Sequence, residues 1–288
     1  MLDDGATSCY RAATMRRILF LLIAIACLAL GAPPVRAAQD LPIFDVHIHY
    51  SQPAWDAYPP DAALAILDRG GVSRALVSST PDDGTLRLHA KAPGRIVPEV
   101  RPYRTQADMG SWTRDPAVLA YVEERLKRGI YRGIGEFHLS AGAVDDAVPR
   151  AFVDLAARHG IVLHCHCDEE AVQGLAKIRA DARVMWAHAG MSASAATVER
   201  LLDQYPNLWV ELALRSDVAP GGALDPAWRA LFLKHPDRFM LGTDTWVNSQ
   251  WDRLPAILDA FRVWLRQLPP DVATKIAHGN ADRLFGGP

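Results

Sequence analysis

Cysteine is scarce in this sequence of 288 residues, and the cysteines it has are poorly placed for a disulfide framework. Two of the four, Cys9 and Cys27, fall in the first forty residues, which differ in character from the rest. Cys165 and Cys167 lie two positions apart in a strand-like run, where side chains point the same way but stand too far apart for easy disulfide geometry. We therefore expect the body of the chain to be stable through its hydrophobic core alone.

The sequence also lacks a strong charge of either sign and a glycine-rich fingerprint. The formal net charge is -2, and no run of lysine and arginine stands out in the body of the chain, so a nucleic-acid surface has little electrostatic support. No G-x-G-x-x-G pattern follows the first strand-like run, as nucleotide binding on a doubly wound sheet would require. A small-molecule partner is the default expectation, and a homo-oligomer is compatible with the sequence.

The first forty residues have the pattern of an export signal. The stretch "MRRILFLLIAIACLALGAPPVRAAQD" begins at Met15 with two arginines, continues as an uncharged apolar run, and ends in small residues before Ala38. The apolar run is short for a permanent membrane span, although an uncleaved anchor stays an alternative. We expect residues 1–37 to be an N-terminal extension and signal peptide, with Met1 or Met15 as the start. Residues 38–288 would then be a single exported, periplasmic domain.

Beyond the leader, short β-branched runs alternate with amphipathic stretches at helical spacing. The predicted strands are 43–49, 74–79, 96–100, 133–137, 161–166, 184–188, 208–212 and 239–244. Helix-like segments such as "AVLAYVEERLKRG" and "SAATVERLLDQY" separate them; the second unit is the weakest, because "DGTLRLHAKAPG" is short and poorly periodic. Eight strand–helix units in about 250 residues predict a (β/α)8 TIM barrel, with a doubly wound open sheet as the alternative.

The first predicted strand, within "PIFDVHIHYSQ", carries a polar face. Successive side chains of a strand point to opposite sides, so Asp45, His47 and His49 share one side. A half-exposed edge strand or core histidines with hydrogen-bond partners would explain any one of these residues. Two imidazoles at i and i+2 on one face are, in addition, suited to a divalent transition metal.

The same residue types close several later strands. They are Glu136 and His138 on the fourth, His164 and His166 on the fifth, His188 on the sixth and Asp244 on the eighth. In a (β/α)8 barrel the carboxyl ends of the strands meet at one face, where active sites lie. Singly, each residue has an ordinary alternative, such as an N-cap role for Asp244. Jointly they predict a site where a metal ion lowers the pKa of a bound water and a carboxylate or imidazole takes its proton.

These motifs carry a family resemblance. From Leu41 to its end the chain resembles the amidohydrolase superfamily of metal-dependent (β/α)8-barrel enzymes, and most of all its amidohydrolase-related branch of decarboxylases, lactonases and hydratases. The resemblance rests on "DVHIH", a histidine on strand five, "AHAG" on strand six, "GTD" on strand eight and the closing "KIAHGNADRLFG".

The resemblance implies a divalent metal, most simply Zn²⁺, held by residues from several strands. The implied ligands are His47, His49, Glu136, His164, His188 and Asp244. Glu136 in "GIGEF" is similar to the carboxylate that holds a second metal in related deoxyribonucleases, and no lysine stands there to be carboxylated, so one ion or two stays open. The two histidines of strand five compete for one role. Counting from the start of the strand favours His164, with His166 as a substrate contact.

The resemblance also implies catalytic and substrate-binding roles. Asp244 would take the proton of the attacking water, and His188 would polarise the group under attack. Candidates for contact with the substrate follow strands three, seven and eight: Arg101, Tyr103, Arg104, Arg215 and Trp246. Guanidinium groups bind carboxylates in two-point fashion, so an anionic substrate is expected, with solvated loop arginines as the alternative.

The expected function is therefore metal-dependent hydrolysis of a small carboxylated amide, lactone or other ester. A decarboxylase or hydratase on the same scaffold is the enzymatic alternative, because the metal site does not choose among these reactions. A non-catalytic periplasmic metal-binding protein is the alternative from another class, and it predicts a coordinatively closed ion.

Overall fold

Eight parallel strands, arranged in the order of the chain, form the centre of the structure, a computed structural model that describes residues 41–286. The strands are β1 (Ile43–His49), β2 (Val72–Ser78), β3 (Ile96–Val100), β4 (Gly133–Leu139), β5 (Val162–Cys167), β6 (Arg183–Trp186), β7 (Leu208–Glu211) and β8 (Phe239–Met240). Parallel bridges join Asp45 to Leu241 and Ile48 to Thr245, so β1 returns to the segment that contains β8. The predicted TIM barrel is confirmed.

Helices alternate with these strands. They are α1 (Pro60–Arg69), α2 (Asp83–Lys91), α3 (Pro116–Leu126), α4 (Ala147–His159), α5 (Glu169–Ile178), α6 (Ala195–Gln204), α7 (Pro226–Lys234), α8 (Asn248–Leu265), α9 (Pro270–Thr274) and α10 (Asn280–Phe285). The doubtful second unit does contain a helix, α2, whose Leu88 is fully buried. Three helices begin where the Asp168, Ser194 and Asp225 side chains accept backbone N–H groups, the usual N-cap arrangement.

Two strands end at least two residues earlier than the sequence pattern predicts. β6 stops at Trp186 and β8 at Met240, whereas the patterns continued to positions 188 and 244. The backbone excludes a strand up to the predicted ends, because His188 and Asp244 have positive φ values of 55° and 49°. A strand cannot continue through this left-handed region, which non-glycine residues adopt at a cost and often at functional sites.

The core consists of apolar residues from the strands and the helices that cover them. The largest cluster includes Trp112, Phe152 and Phe232, and a smaller one joins Phe44 of β1 to Phe285 of α10, with ring centroids 6.0 Å apart. Burial of this apolar surface supplies the main driving force for folding. Many of the buried polar side chains lie near the carboxyl ends of the strands, and they require a separate explanation.

Cys165 and Cys167 are free and buried, as expected for a domain without a disulfide framework. Within residues 41–286, no helix has both the length and the apolar character needed to cross a membrane. The predicted signal peptide, its cleavage before Ala38 and the two remaining cysteines lie outside the described residues.

Candidate active site

A cavity of about 930 Å³ opens where the polar residues gather. Its wall includes His49, Glu136, His138, His166 and Asp244 from the first, fourth and fifth strands and the loop after β8. These residues stand far apart in the sequence and meet because the strands are parallel and share one carboxyl-terminal face. The convergence predicted from the strand ends is present in the structure.

Four side chains form the tightest group at the floor of this cavity. The Nε2 atoms of His47 and His49 are 3.0 Å apart. Oδ1 of Asp244 lies 3.4 Å from each of these two nitrogens, and Oε2 of Glu136 lies 3.6 Å and 3.3 Å from them, respectively. Each of the two carboxylates thus places one oxygen beside both imidazole nitrogens, and all four residues are at most 7% exposed. Of these residues, His47, His49 and Glu136 form one group that could hold an ion, and His47 and Asp244 form another with His188.

The carboxylates of this group stabilise a positive charge beside them. Burial lowers the pKa of His47, but Asp244, Glu136 and Glu211 outweigh burial and raise that pKa well above its ordinary value. Burial raises the pKa of Glu136, and His47, His166 and His188 overcome it and hold that pKa well below its ordinary value. Either a proton on imidazole or a cation satisfies such carboxylates. Imidazole nitrogens with carboxylate oxygens are the donor set that Zn²⁺ takes, so these residues fit a divalent metal ion.

Glu136 connects this group to a second set of side chains. Its Oε1 lies 2.9 Å from Nδ1 of His166 and 3.4 Å from Nε2 of His188. Arg101 donates to its backbone oxygen and to Oε2, at 3.0 Å and 3.1 Å. Because the two oxygens of one carboxylate face two groups of histidines, the geometry suits one ion or two.

The glycine before Glu136 permits the close approach of β4 and β5 at this point. Gly135 has a φ of 152°, and a Cβ at this position would lie 2.4 Å from the backbone oxygen of His164. A larger residue would therefore push β4 away from β5 and carry Glu136 out of position.

The two histidines of β5 occupy different environments. His164 is fully buried; its Nδ1 lies 3.3 Å from Oε2 of Glu99, and its Nε2 has no hydrogen-bond partner among residues 41–286. His166 contacts Glu136, and its ring stacks on His138 with centroids 4.4 Å apart. The structure thus brings His166, and not His164, against the Glu136 carboxylate. Which of them binds an ion stays a prediction.

His188 and Asp244 approach each other beside His47. Nε2 of His188 is 3.9 Å from Oδ2 of Asp244, and Nδ1 of His188 lies 3.2 Å from the backbone oxygen of Ala213. Asp244 therefore points Oδ1 at His47 and His49 and keeps Oδ2 toward His188. This arrangement is compatible with one oxygen facing a cation while the other receives a proton.

The candidate substrate residues divide into two groups. Arg101, Arg104 and Trp246 line the cavity, and the Trp246 side chain is 58% exposed. Arg104, however, donates to both carboxylate oxygens of Asp108 and to Asp115, at 2.7–3.0 Å.

Arg215 is committed to the protein itself. It is buried, donates to the backbone oxygens of His188, Ala189 and Ala193, and pairs with Asp217. Its guanidinium therefore stabilises the loop that carries His188.

Tyr103 and His138 complete the wall on the β3–β4 side. The Tyr103 hydroxyl accepts the His138 backbone N–H at 2.8 Å, which fixes the end of β4. Burial lowers the pKa of His138 to about 4, so its imidazole is neutral at physiological pH.

Sequence reasoning missed several polar residues beneath the site. Glu211 accepts from His47 Nδ1 at 3.1 Å, Glu99 faces His164, and Ser78 Oγ lies 2.8 Å from Nδ1 of His49. Burial raises the pKa of Glu211, but His188 and His47 overcome it and lower that pKa to about 2. The available signal was a glutamate inside each of two apolar runs, "VPEV" and "WVEL".

Comparisons with known proteins agree with this architecture. An amidohydrolase from Burkholderia multivorans with bound zinc is 18% identical, covering 86% of this chain and 100% of that one, with a TM-score of 0.56. A probable 2-pyrone-4,6-dicarboxylic acid hydrolase from Acinetobacter baumannii, with citric acid bound, is 14% identical. The match covers 85% of this chain and 99% of that one, with a TM-score of 0.58. N-acetyl-D-glucosamine-6-phosphate deacetylase from Mycobacterium smegmatis is 17% identical. The match covers 90% of this chain and 81% of that one, with a TM-score of 0.58.

At such identities these structures indicate a common fold and no more. No curated protein matches the sequence. A family model described as amidohydrolase matches residues 44–287, which is nearly the whole barrel. The match includes every strand from which the histidines and carboxylates of the cavity floor project, and the chain therefore belongs to the amidohydrolase family.

Proposed function

We propose that this protein is a metal-dependent hydrolase that acts on a small carboxylated amide, lactone or other ester. The observation that carries the proposal is the group formed by His47, His49, Glu136 and Asp244 on the cavity floor. Its two imidazole nitrogens lie 3.0 Å apart, each carboxylate places an oxygen 3.3–3.6 Å from both nitrogens, and the four residues are nearly closed to solvent. A purely structural network would not need two imidazole nitrogens aimed at each other beside two carboxylates.

The residues that would hold a divalent ion are these four, with His166 and His188 available at the second oxygen of Glu136. When bound, the ion lowers the pKa of a water molecule and polarises a substrate oxygen. Asp244 accepts the water proton at Oδ2 and returns it to the leaving group. We assign to His188 Nε2 the hydrogen bond to the group under attack, because the contact of its Nδ1 with the backbone oxygen of Ala213 holds the ring.

We assign the orientation of the substrate to side chains of the cavity wall. The Nη1 atom of Arg101 has no protein partner within residues 41–286, so it is available to one substrate carboxylate. Trp246, largely exposed at the cavity, offers a flat apolar surface to the rest of the molecule. We expect a substrate with one carboxylate because Arg104 and Arg215 pair with aspartates, while Arg101, which pairs with Glu136 through Nη2, keeps Nη1 for a substrate.

The experiment that tests the proposal combines metal analysis of the purified protein with a hydrolysis screen over lactones, amides and phosphoesters. We expect about one or two equivalents of zinc and turnover of a lactone or amide that carries a carboxylate. Release of CO₂ or addition of water to a double bond, without hydrolysis, would favour the decarboxylase or hydratase alternative. A metal-loaded protein with no exchangeable water at the ion would instead indicate a non-catalytic metal-binding protein.

We also propose that the protein is exported to the periplasm, on the strength of the charged start, the apolar run and the small residues before Ala38. Mass spectrometry of protein made in its native host should find a mature chain that begins near Ala38. Recovery of the intact chain from the cytoplasm would contradict the proposal.

A further inference from the structure

One buried carboxylate, Glu211 at the end of β7, contacts two of the histidines of the site. Its Oε1 accepts from Nδ1 of His47 at 3.1 Å and from the backbone N–H of His188 at 2.6 Å. Its Oε2 accepts the backbone N–H of Ala213 at 2.7 Å. Glu211 is fully buried and separated from the cavity by the histidines, so it does not touch a substrate.

We propose that Glu211 is the positioning residue of the metal centre, a role that rests on the proposed function. A carboxylate offers acceptors only, so Nδ1 of His47 carries a proton, and when the imidazole is neutral its Nε2 lone pair faces His49, Glu136 and Asp244. Carboxylates that hold the outer nitrogen of a metal-binding histidine fix its tautomer and ring orientation. The same carboxylate anchors the backbone of His188, so one side chain sets the direction of residues from β1 and from the loop after β6.

The hydrogen-bonding pattern predicts what a glutamine at this position would do. Glutamine has nearly the shape of glutamate but presents one acceptor and one NH₂ donor. If its oxygen stays toward His47 and His188, the NH₂ group faces the N–H of Ala213. If the amide is reversed, the NH₂ group faces the N–H of His188 and Nδ1 of His47. In the first orientation two donors oppose each other at Ala213, and His47 keeps only a neutral acceptor, which supports its Nε2 as a ligand less than a carboxylate does. In the second orientation donors oppose each other at His188 and at His47, and His47 loses its fixed direction.

Gly242 provides a second way to disturb the contact between Glu211 and His47 without removing the charge of the carboxylate. A Cβ on Gly242 would lie 2.4 Å from Oε2 of Glu211 and 2.7 Å from Cβ of His47. Replacing Gly242 by alanine therefore forces these two side chains to shift. The positioning role predicts that Gly242→Ala weakens metal binding even though Glu211 is intact.

The test measures zinc affinity by competition with a chelator, together with thermal unfolding of the zinc-free protein. Glu211→Gln should bind zinc 10- to 100-fold more weakly than the unmodified protein, the usual scale for losing such a partner. Asp82→Asn is the matched control, because Asp82 is also a fully buried carboxylate, bonded to the Tyr131 hydroxyl and not to a histidine. This control should lose thermal stability and keep its zinc affinity.

The outcomes separate the inference from the proposed function. If the unmodified protein does not bind zinc, both fail. If it binds zinc tightly and Glu211→Gln binds equally well, only the positioning role of Glu211 is refuted. Equal weakening in Asp82→Asn would also refute that role, since the loss would then be a general loosening of the barrel. Should Glu211→Gln fail to fold, Gly242→Ala decides, because unchanged zinc affinity there would overturn the inference.

Discussion

Replacement of Asp244 by asparagine isolates the proton-accepting step of the proposed mechanism. Asparagine keeps the shape of the side chain and removes its charge and basicity. The backbone should tolerate the change, because Asp244 has a φ of 49° and asparagine adopts this left-handed region as readily as aspartate does. We therefore expect a folded variant whose defect lies in its chemistry.

The size of the defect follows from what Asp244 contacts. Its Oδ1 lies 3.4 Å from Nε2 of both His47 and His49, and its Oδ2 faces His188. Asp244 itself is only 7% exposed. Few other acceptors can substitute in so enclosed a position. Loss of positioned acid–base catalysis costs about 10²–10⁴-fold in rate, or about 2.7–5.4 kcal/mol of activation free energy.

The assay measures kcat, zinc content and thermal unfolding on one preparation. Asp271→Asn, an exposed change on α9, serves as the control for the substitution itself and should leave all three quantities unchanged. A folded Asp244→Asn variant with near-normal kcat would refute the assignment of the proton acceptor, and with it the central step of the proposed mechanism.

Three further outcomes are expected. His164→Ala and His166→Ala, compared by zinc content and kcat, distinguish the two β5 histidines. The sequence predicts that His164→Ala loses its metal, while the contact of His166 with Glu136 favours metal loss in His166→Ala. Arg101→Met should raise KM for a carboxylated substrate, whereas Arg104→Met should chiefly lower thermal stability, since Arg104 is held by its own aspartates; equal KM effects would contradict this division. Zinc at about 100 times its Kd should add about 2.7 kcal/mol to the free energy of unfolding, and a chelator should reverse the gain; a melting temperature that does not respond to zinc would count against the metal site.

Much of the fold was predictable because local patterns express it. The alternation of β-branched runs and amphipathic stretches located all eight strands, and β1 and β3 matched the predicted 43–49 and 96–100. The bounds of β2, β4, β5 and β7 differ from the prediction by one or two residues, and the larger errors lie at the ends of β6 and β8. There a long-range requirement, the placement of His188 and Asp244, bends the backbone into a region that strand periodicity does not register.

The candidate site was predictable in its residue types and less so in its contacts. Histidines and carboxylates at strand ends stood out because such residues are costly to bury without a partner. Two of the three arginines proposed for the substrate, Arg104 and Arg215, pair with nearby aspartates in the structure. Sequence proximity to a strand end did not reveal these pairings, because an arginine on a loop has many aspartates within its reach.

The sequence by itself determined the barrel and the chemical character of its carboxyl-terminal face, because periodicity and residue type act locally. Only the tertiary structure decided which side chains touch. Glu211 lies 164 positions from His47, and nothing short of closing the barrel brings the two together. The closed barrel likewise placed His166 against Glu136 and His164 against Glu99, although the two histidines are neighbours on one strand. Side chains at i and i+2 share a face but lie at different heights along the barrel axis. Which partner each of them contacts is decided only when the other seven strands are in place.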